Sequence, residues 1–175
     1  PQIPYTFGDA QVAEHLIDIA IEVDTALPAP ASLVIDEESR SVAERLAALV
    51  GDGATLQMGI GAVPDAAITA LGKRKRLGIW SEMFSDGLLT LEHAGALDPD
   101  RAIVASFCFG SAELYQHVHL NPRIRMMRTE KVNSPALIAA NPAMTSINTA
   151  LEVDLYGQAN ASRVNGRIHS GYGGQ

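Results

Sequence analysis

The chain has 175 residues, of which 47% are hydrophobic and 19% charged, with a formal net charge of −7. That composition supports a packed core and excludes a disordered tail, and the acidic balance argues against a nucleic-acid partner, which needs clustered Lys and Arg. The densest basic run, Lys73-Arg74-Lys75-Arg76, falls between a predicted helix and a predicted strand and reads as a solvated loop. A single cysteine, Cys108, excludes an intrachain disulfide framework and a Cys-rich zinc site. There is no secretory h-region at the start and no apolar run of about 18 residues. A cytoplasmic, reducing setting with no membrane partner is therefore expected.

Residues 1–36 read as a leading strand and linker. Within them Ile17 to Val23 alternates apolar with mostly polar residues, the pattern of a half-buried strand. Residues 25–36, with Pro28 and Pro30, suggest an extended connection. Residues 37–175 read as an α/β domain. Glu37 to Val50 is a predicted helix with Val42, Leu46, Leu49 and Val50 as its apolar face; Ser39 and Ser41 are its candidate caps, and Gly51 and Gly53 end it.

Ala54–Met58 is a short strand, Pro64–Leu71 a helix with proline in its first turn, and Leu77–Trp80 a strand. Asp86–Ala96 is helical and Ala102–Phe109 a strongly apolar strand. Ser111–His119 is a helix capped by Ser111, Ile124–Met127 a strand, Ser134–Ala140 a short helix, and Thr145–Val153 a long strand. Leu155–Ile168, with glycines at 157 and 166, reads as strand, turn, strand. Short strands alternating with helices imply crossover units, hence a mostly parallel open sheet flanked by helices. Pro1 in place of an initiator Met, and the close on Gly173-Gly174-Gln175, read as cut ends, with the domain truncated at its carboxyl terminus.

Three segments could carry chemistry. Gly59-Ile60-Gly61-Ala62-Val63-Pro64 follows a strand and opens a helix. Glycines there permit a dinucleotide loop, a plain turn, or backbone amides that polarise a carbonyl oxygen; Pro64 replaces the third glycine of the dinucleotide fingerprint. Ser81-Glu82-Met83-Phe84-Ser85-Asp86-Gly87 lies at the carboxyl end of a strand, where ligands collect in open α/β sheets. Glu82 is there a candidate nucleophile or base, with Glu82 or Asp86 as helix cap the alternative, Asp86 the better one. Ser170-Gly171-Tyr172-Gly173-Gly174-Gln175 has three glycines and permits either a bare turn or close backbone approach. His117 and His119 are not spaced to share one helix face, so no metal site is expected, and Cys108 reads as a buried small hydrophobe.

Taken together, Leu56–Ala66, Ser81–Gly87, Ser146–Gln158 and Ser170–Gln175 resemble, in order, the acetyl-CoA hydrolase/transferase family, which includes 4-hydroxybutyrate, butyrate and succinate CoA-transferases. The resemblance runs from about residue 5 to the last residue and corresponds to the carboxyl-side half of the family. It implies a CoA-transferase-like domain that moves coenzyme A between an acyl-CoA and a small free carboxylic acid through a glutamyl-CoA thioester. The alternatives are an acyl-CoA hydrolase with the same nucleophile, or a non-catalytic CoA- or nucleotide-binding domain. The family glutamate matches Glu82, and the oxyanion-hole amides match Ile60 and Gly173 or Gly174. Gly59, Gly61, Asn133 and Gln175 are the positions expected to contact CoA, and no metal or redox cofactor is implied.

Trp80 and Ser81 depart from the His and Thr that relatives often carry. The usual Asp-Phe after the final Gly-Gly-Gln is absent, as is the family's amino-terminal half, which supplies part of the substrate cleft. The expectation is thus a homo-oligomer, or a domain that docks with that half. A carboxylate is a weak nucleophile, so this chemistry needs a stabilised oxyanion, with backbone donors contributing roughly 3–4 kcal/mol each.

Overall fold

Short apolar runs recur through the middle of the chain, and parallel pairing gathers most of them into one sheet. The fold is that of a computed structural model, described for residues 3–30 and 35–169. In chain order the first eight strands are β1 (Phe7–Gly8), β2 (Thr55–Met58), β3 (Gly78–Trp80), β4 (Met83–Phe84), β5 (Ile103–Ala105), β6 (Phe107–Cys108), β7 (Ile124–Met126) and β8 (Met144–Ile147). Six of them form a sheet in the order β1-β7-β5-β3-β2-β8, every neighbouring pair parallel. The helices are α1 (Glu37–Leu49), α2 (Ala62–Leu71), α3 (Gly87–His93), α4 (Ala112–Val118), α5 (Thr129–Val132) and α6 (Pro135–Ala139). The architecture is the expected α/β one.

Helix-covered parallel strands lose both faces to the core, and the central strands β3 and β5 are accordingly apolar. Leu56, Ile79, Ile103 and Ile124 of the sheet pack in one core with Ile68, Leu71, Leu88, Leu91 and Leu114 of the helices. Helix α1 buries only part of the predicted face: Val50 is buried and Leu46 packs against the core. Ser39, Ala43 and Ala47 are its buried residues, four apart, while Val42 and Leu49 point outward. Small side chains on that row let α1 approach α2, which offers Ala66 and Ala67. The cap is Asp36, whose carboxylate accepts from the Ser39 backbone N–H at 2.8 Å, rather than Ser39 or Ser41.

The largest departure is Ile17–Val23. This stretch forms no strand, and Ile17, Ile19, Ile21 and Val23 are all exposed. Alternation marks a strand only where a partner ladder exists, and among the described residues none lies beside it. By contrast Phe7–Gly8, too short to show a pattern, becomes an edge strand because β7 pairs with it.

Two predicted strands divide. The Ala102–Phe109 run breaks at Ser106: β5 stays in the main sheet, while β6 turns aside to pair with β4. The Thr145–Val153 run ends at Ile147, and β9 (Glu152–Val153) instead pairs antiparallel with β10 (Ala159–Asn160). A second hairpin joins β11 (Arg163–Val164) to β12 (Arg167–Ile168) through Asn165 and Gly166, both at positive φ (50° and 75°). An Asn-Gly pair suits the tight turn whose twist matches the strands. The strand-turn-strand expectation over Leu155–Ile168 therefore becomes parts of two short hairpins. Helix α3 is shorter than Asp86–Ala96 because Gly95, at φ 62°, closes it.

Candidate functional site

Since the sheet is parallel, the carboxyl ends of adjacent β8, β2 and β3 open on one edge, where such sheets hold ligands. The chain leaves β2 into Gly59-Ile60-Gly61 and leaves β3 into Ser81-Glu82. Gly59 donates its N–H to the Ile147 carbonyl at 2.9 Å. A β-carbon on Gly59 would lie 2.7 Å from that same oxygen, so glycine lets the loop press against β8. Gly61 sits at φ 120°, a conformation that favours glycine, and starts α2.

Ser81 ties the two loops together. It is 1% exposed, and its hydroxyl accepts from the Met58 N–H at 3.1 Å while donating to the Met83 carbonyl at 2.5 Å. The next residue, Glu82, is fixed at its backbone: its carbonyl accepts from the N–H groups of Ser106 (2.8 Å) and Phe107 (3.2 Å). The split of the predicted 102–109 strand thus has a consequence, because the break directs two amides at the Glu82 carbonyl. The Glu82 carboxylate is half-buried and accepts a 2.8 Å hydrogen bond from the Asn133 side-chain amide. Asn133 closes α5, and the Trp80 indole donates to the preceding carbonyl, that of Val132, at 2.8 Å.

Glu82, Asn133, Gly59 and Ile60 all line one cavity of about 620 Å³. Its lining includes apolar Trp80, Met83, Phe107 and Met144. It also includes Gln57, Ser146 and Asn148, joined among themselves: the Gln57 side-chain carbonyl oxygen accepts from the Ser146 hydroxyl and, at 2.9 Å, from the Asn148 side-chain amide. Such a space can take a chain with an apolar stretch and amide or hydroxyl groups, ending at the Glu82 carboxylate.

Of the residues singled out in the sequence, Glu82, Gly59, Ile60 and Asn133 come together, and Gly61 adjoins them. Gly173, Gly174 and Gln175 lie outside the described residues. Asp86 does not cap α3; its carboxylate accepts from the Ser111 N–H (3.0 Å) and hydroxyl (2.6 Å), fixing the start of α4. Nearby, burial, aided by the charge of Asp86, pushes the Asp65 carboxyl above its usual range. Cys108 is half-buried rather than buried, packs against the core, and burial pushes its thiol up to about 11, which favours the protonated form.

Sequence reasoning missed the Gln57–Ser146–Asn148 cluster and the ties made by Trp80 and Ser81. Gln57, a polar residue within an apolar strand run, was the one local signal available.

Residues 110–175 match the model of the acetyl-CoA hydrolase/transferase C-terminal domain. The succinyl-CoA:acetate/propanoyl-CoA:succinate CoA transferase of Fasciola hepatica is 38% identical over 99% of this chain and 38% of its own length. The 4-hydroxybutyrate coenzyme A transferase of Clostridium kluyveri is 37% identical over 99% of this chain and 42% of its own. Over nearly its whole length the chain is thus similar to members of the acetyl-CoA hydrolase/transferase family. The solved 4-hydroxybutyrate CoA-transferase of Porphyromonas gingivalis superposes with a TM-score of 0.84 at 37% identity, over 90% of this chain and 42% of that one. The chain thus spans about two fifths of the length of these relatives. Among the described residues no helix is long and apolar enough to cross a membrane.

Proposed function

We propose that this chain carries the nucleophile of a CoA-transferase, with Glu82 attacking an acyl-CoA thioester. The observation that carries the reading is the Glu82 carboxylate, held by the Asn133 amide in one cavity with the Gly59–Ile60 loop at the carboxyl ends of the strands. In the first step a Glu82 carboxylate oxygen bonds to the thioester carbon, the C–S bond breaks, and an acyl-glutamyl anhydride forms with release of CoA thiolate. The thiolate then attacks the glutamyl carbonyl carbon. The acyl group departs as a free carboxylate, and a glutamyl-CoA thioester remains. An incoming carboxylate repeats the sequence in reverse and leaves with the CoA.

Each attack builds negative charge on a carbonyl oxygen. The Ile60 N–H, presented by the loop that Gly59 and Gly61 permit, is one donor for it. By family resemblance the Gly173 or Gly174 N–H is the second, and each is worth about 3–4 kcal/mol when well aimed. Gln57, Ser146 and Asn148 present amide and hydroxyl groups suited to the amides of the CoA arm. Hydrolysis of the same anhydride or thioester by water is the other outcome that the family's description includes.

Intact-mass spectrometry of the protein, expressed from its full coding sequence and incubated with acyl-CoA, tests the reading. A CoA-sized adduct is expected, and Glu82→Ala should remove it and lower turnover about a thousandfold or more. An adduct that survives Glu82→Ala refutes the assignment. Acetate supplied with a different acyl-CoA separates the outcomes: new acetyl-CoA marks transfer, and free thiol without it marks hydrolysis.

A further inference from the structure

We propose that Trp80 is a positioning residue, whose indole N–H holds the short helix α5 where the Asn133 amide meets Glu82. Its effect on rate rests on the CoA-transfer reading above.

Helix α5 has four residues, and its N-cap, Arg128, makes no side-chain capping bond. One turn of helix is not stable by itself, because the cost of ordering it exceeds the return from its few hydrogen bonds. Its place must come from outside. Burial of Val132 and two polar ties provide it. At its start, the Asp9 carboxylate accepts from the Arg128 N–H at 3.1 Å and from Lys131 Nζ at 2.9 Å. At its end, the Trp80 indole donates to the Val132 carbonyl at 2.8 Å, one residue before Asn133. That carbonyl belongs to the last turn of a helix, where carbonyls lack an internal partner.

Trp80 and Glu82 are two residues apart on one backbone, and that backbone is clamped by Ser81 and by the amides of Ser106 and Phe107. The path Trp80, Val132, Asn133, Glu82 therefore closes on itself: the segment that carries Glu82 also carries the arm that aims the amide at it. Indole has one donor and no acceptor, so the bond has a single direction. Phenylalanine would keep a smaller apolar ring on the cavity lining and lose the tie.

The test is a double-mutant cycle on the rate of CoA-adduct formation, with hydrogen exchange of the Asn133 backbone amide, which donates to Thr129 within α5, as a second readout. Trp80→Phe and Asn133→Ala should each slow adduct formation about tenfold, and the double variant should be no slower than the slower single one. Trp80→Phe should also speed Asn133 exchange about tenfold, while amides of the buried strand β5 exchange as before. Losses that multiply in the double variant, or Asn133 exchange at the wild-type rate, overturn the proposal. Should the wild-type protein form no adduct, the CoA-transfer reading fails, and the exchange comparison still judges the tie. If Trp80→Phe does not fold, Trp80→Leu, which also lacks the N–H, replaces it in the same cycle: multiplying losses overturn the proposal, and non-multiplying ones support it.

Discussion

Ile103–Ala105 and Ile17–Val23 are both rich in branched apolar residues, yet Ile103 is 2% exposed and Ile19 is 81% exposed. The first stretch is β5, hydrogen-bonded to β3 on one side and β7 on the other and covered by helices. The second has no ladder among the described residues. A strand is a relation between segments, and apolar spacing only makes a segment eligible for one. The same contrast separates the well-packed sheet from the hairpins at 152–168, where Val153, Leu155 and Ile168 are exposed although they lie in or beside strands.

The sharpest way to break the comparison is truncation on each side of it. Leu56→Ala, which empties a fully buried site in β2, should cost about 3 kcal/mol in urea unfolding. Ile19→Ser should stay within about 0.5 kcal/mol in the same measurement; a loss as large as that of Leu56→Ala would mean that the leading segment is packed after all.

Gly59→Ala brings a β-carbon to 2.7 Å from the Ile147 carbonyl, and the loop or β8 must shift. About 1–3 kcal/mol of stability should be lost, together with slower adduct formation, read by unfolding and by intact mass. Asp36→Ala removes the cap of α1 and should cost about 1 kcal/mol, visible as a lower urea midpoint.

The smallest effect concerns acid. The hydrogen bond from Lys131, then that from the Arg128 N–H, holds the Asp9 carboxyl below its usual range. A group whose pKa is depressed by folding contributes stability above its unfolded value, and that contribution is lost as pH falls through the folded one. Acidification below about pH 4 should therefore loosen α5, seen as faster exchange of its amides. The effect should vanish in Asp9→Asn. It would show that residues 3–12, unlike 17–23, are tied to the domain.

The two loops on the cavity were legible because each is a contiguous run, Ser81–Gly87 and Gly59–Gly61, while the helix read from Pro64 starts two residues earlier, at Ala62. The cap of α1 was misplaced because Asp36, Ser39 and Ser41 all offer an oxygen, and only the path of the chain into the helix selects one. The face of α1 was partly misjudged because hydrophobicity ranks Val42 and Leu49 above Ala43 and Ala47, whereas close approach to α2 rewards small side chains. Asn133 came from family resemblance, and its bond to Glu82 spans 51 positions. The Trp80–Val132 tie spans 52, and the Gln57–Asn148 pair 91.

From the sequence by itself follow the alternation of short strands with helices, hence the parallel sheet, and the placing of Glu82 and the glycine loop at its edge. These depend on side-chain chemistry and spacing within a few residues. Only the tertiary structure decided which apolar runs found partners, which face of α1 is buried, and which distant amides and indole surround Glu82. Those outcomes depend on segments meeting in space, and no local pattern encodes the meeting.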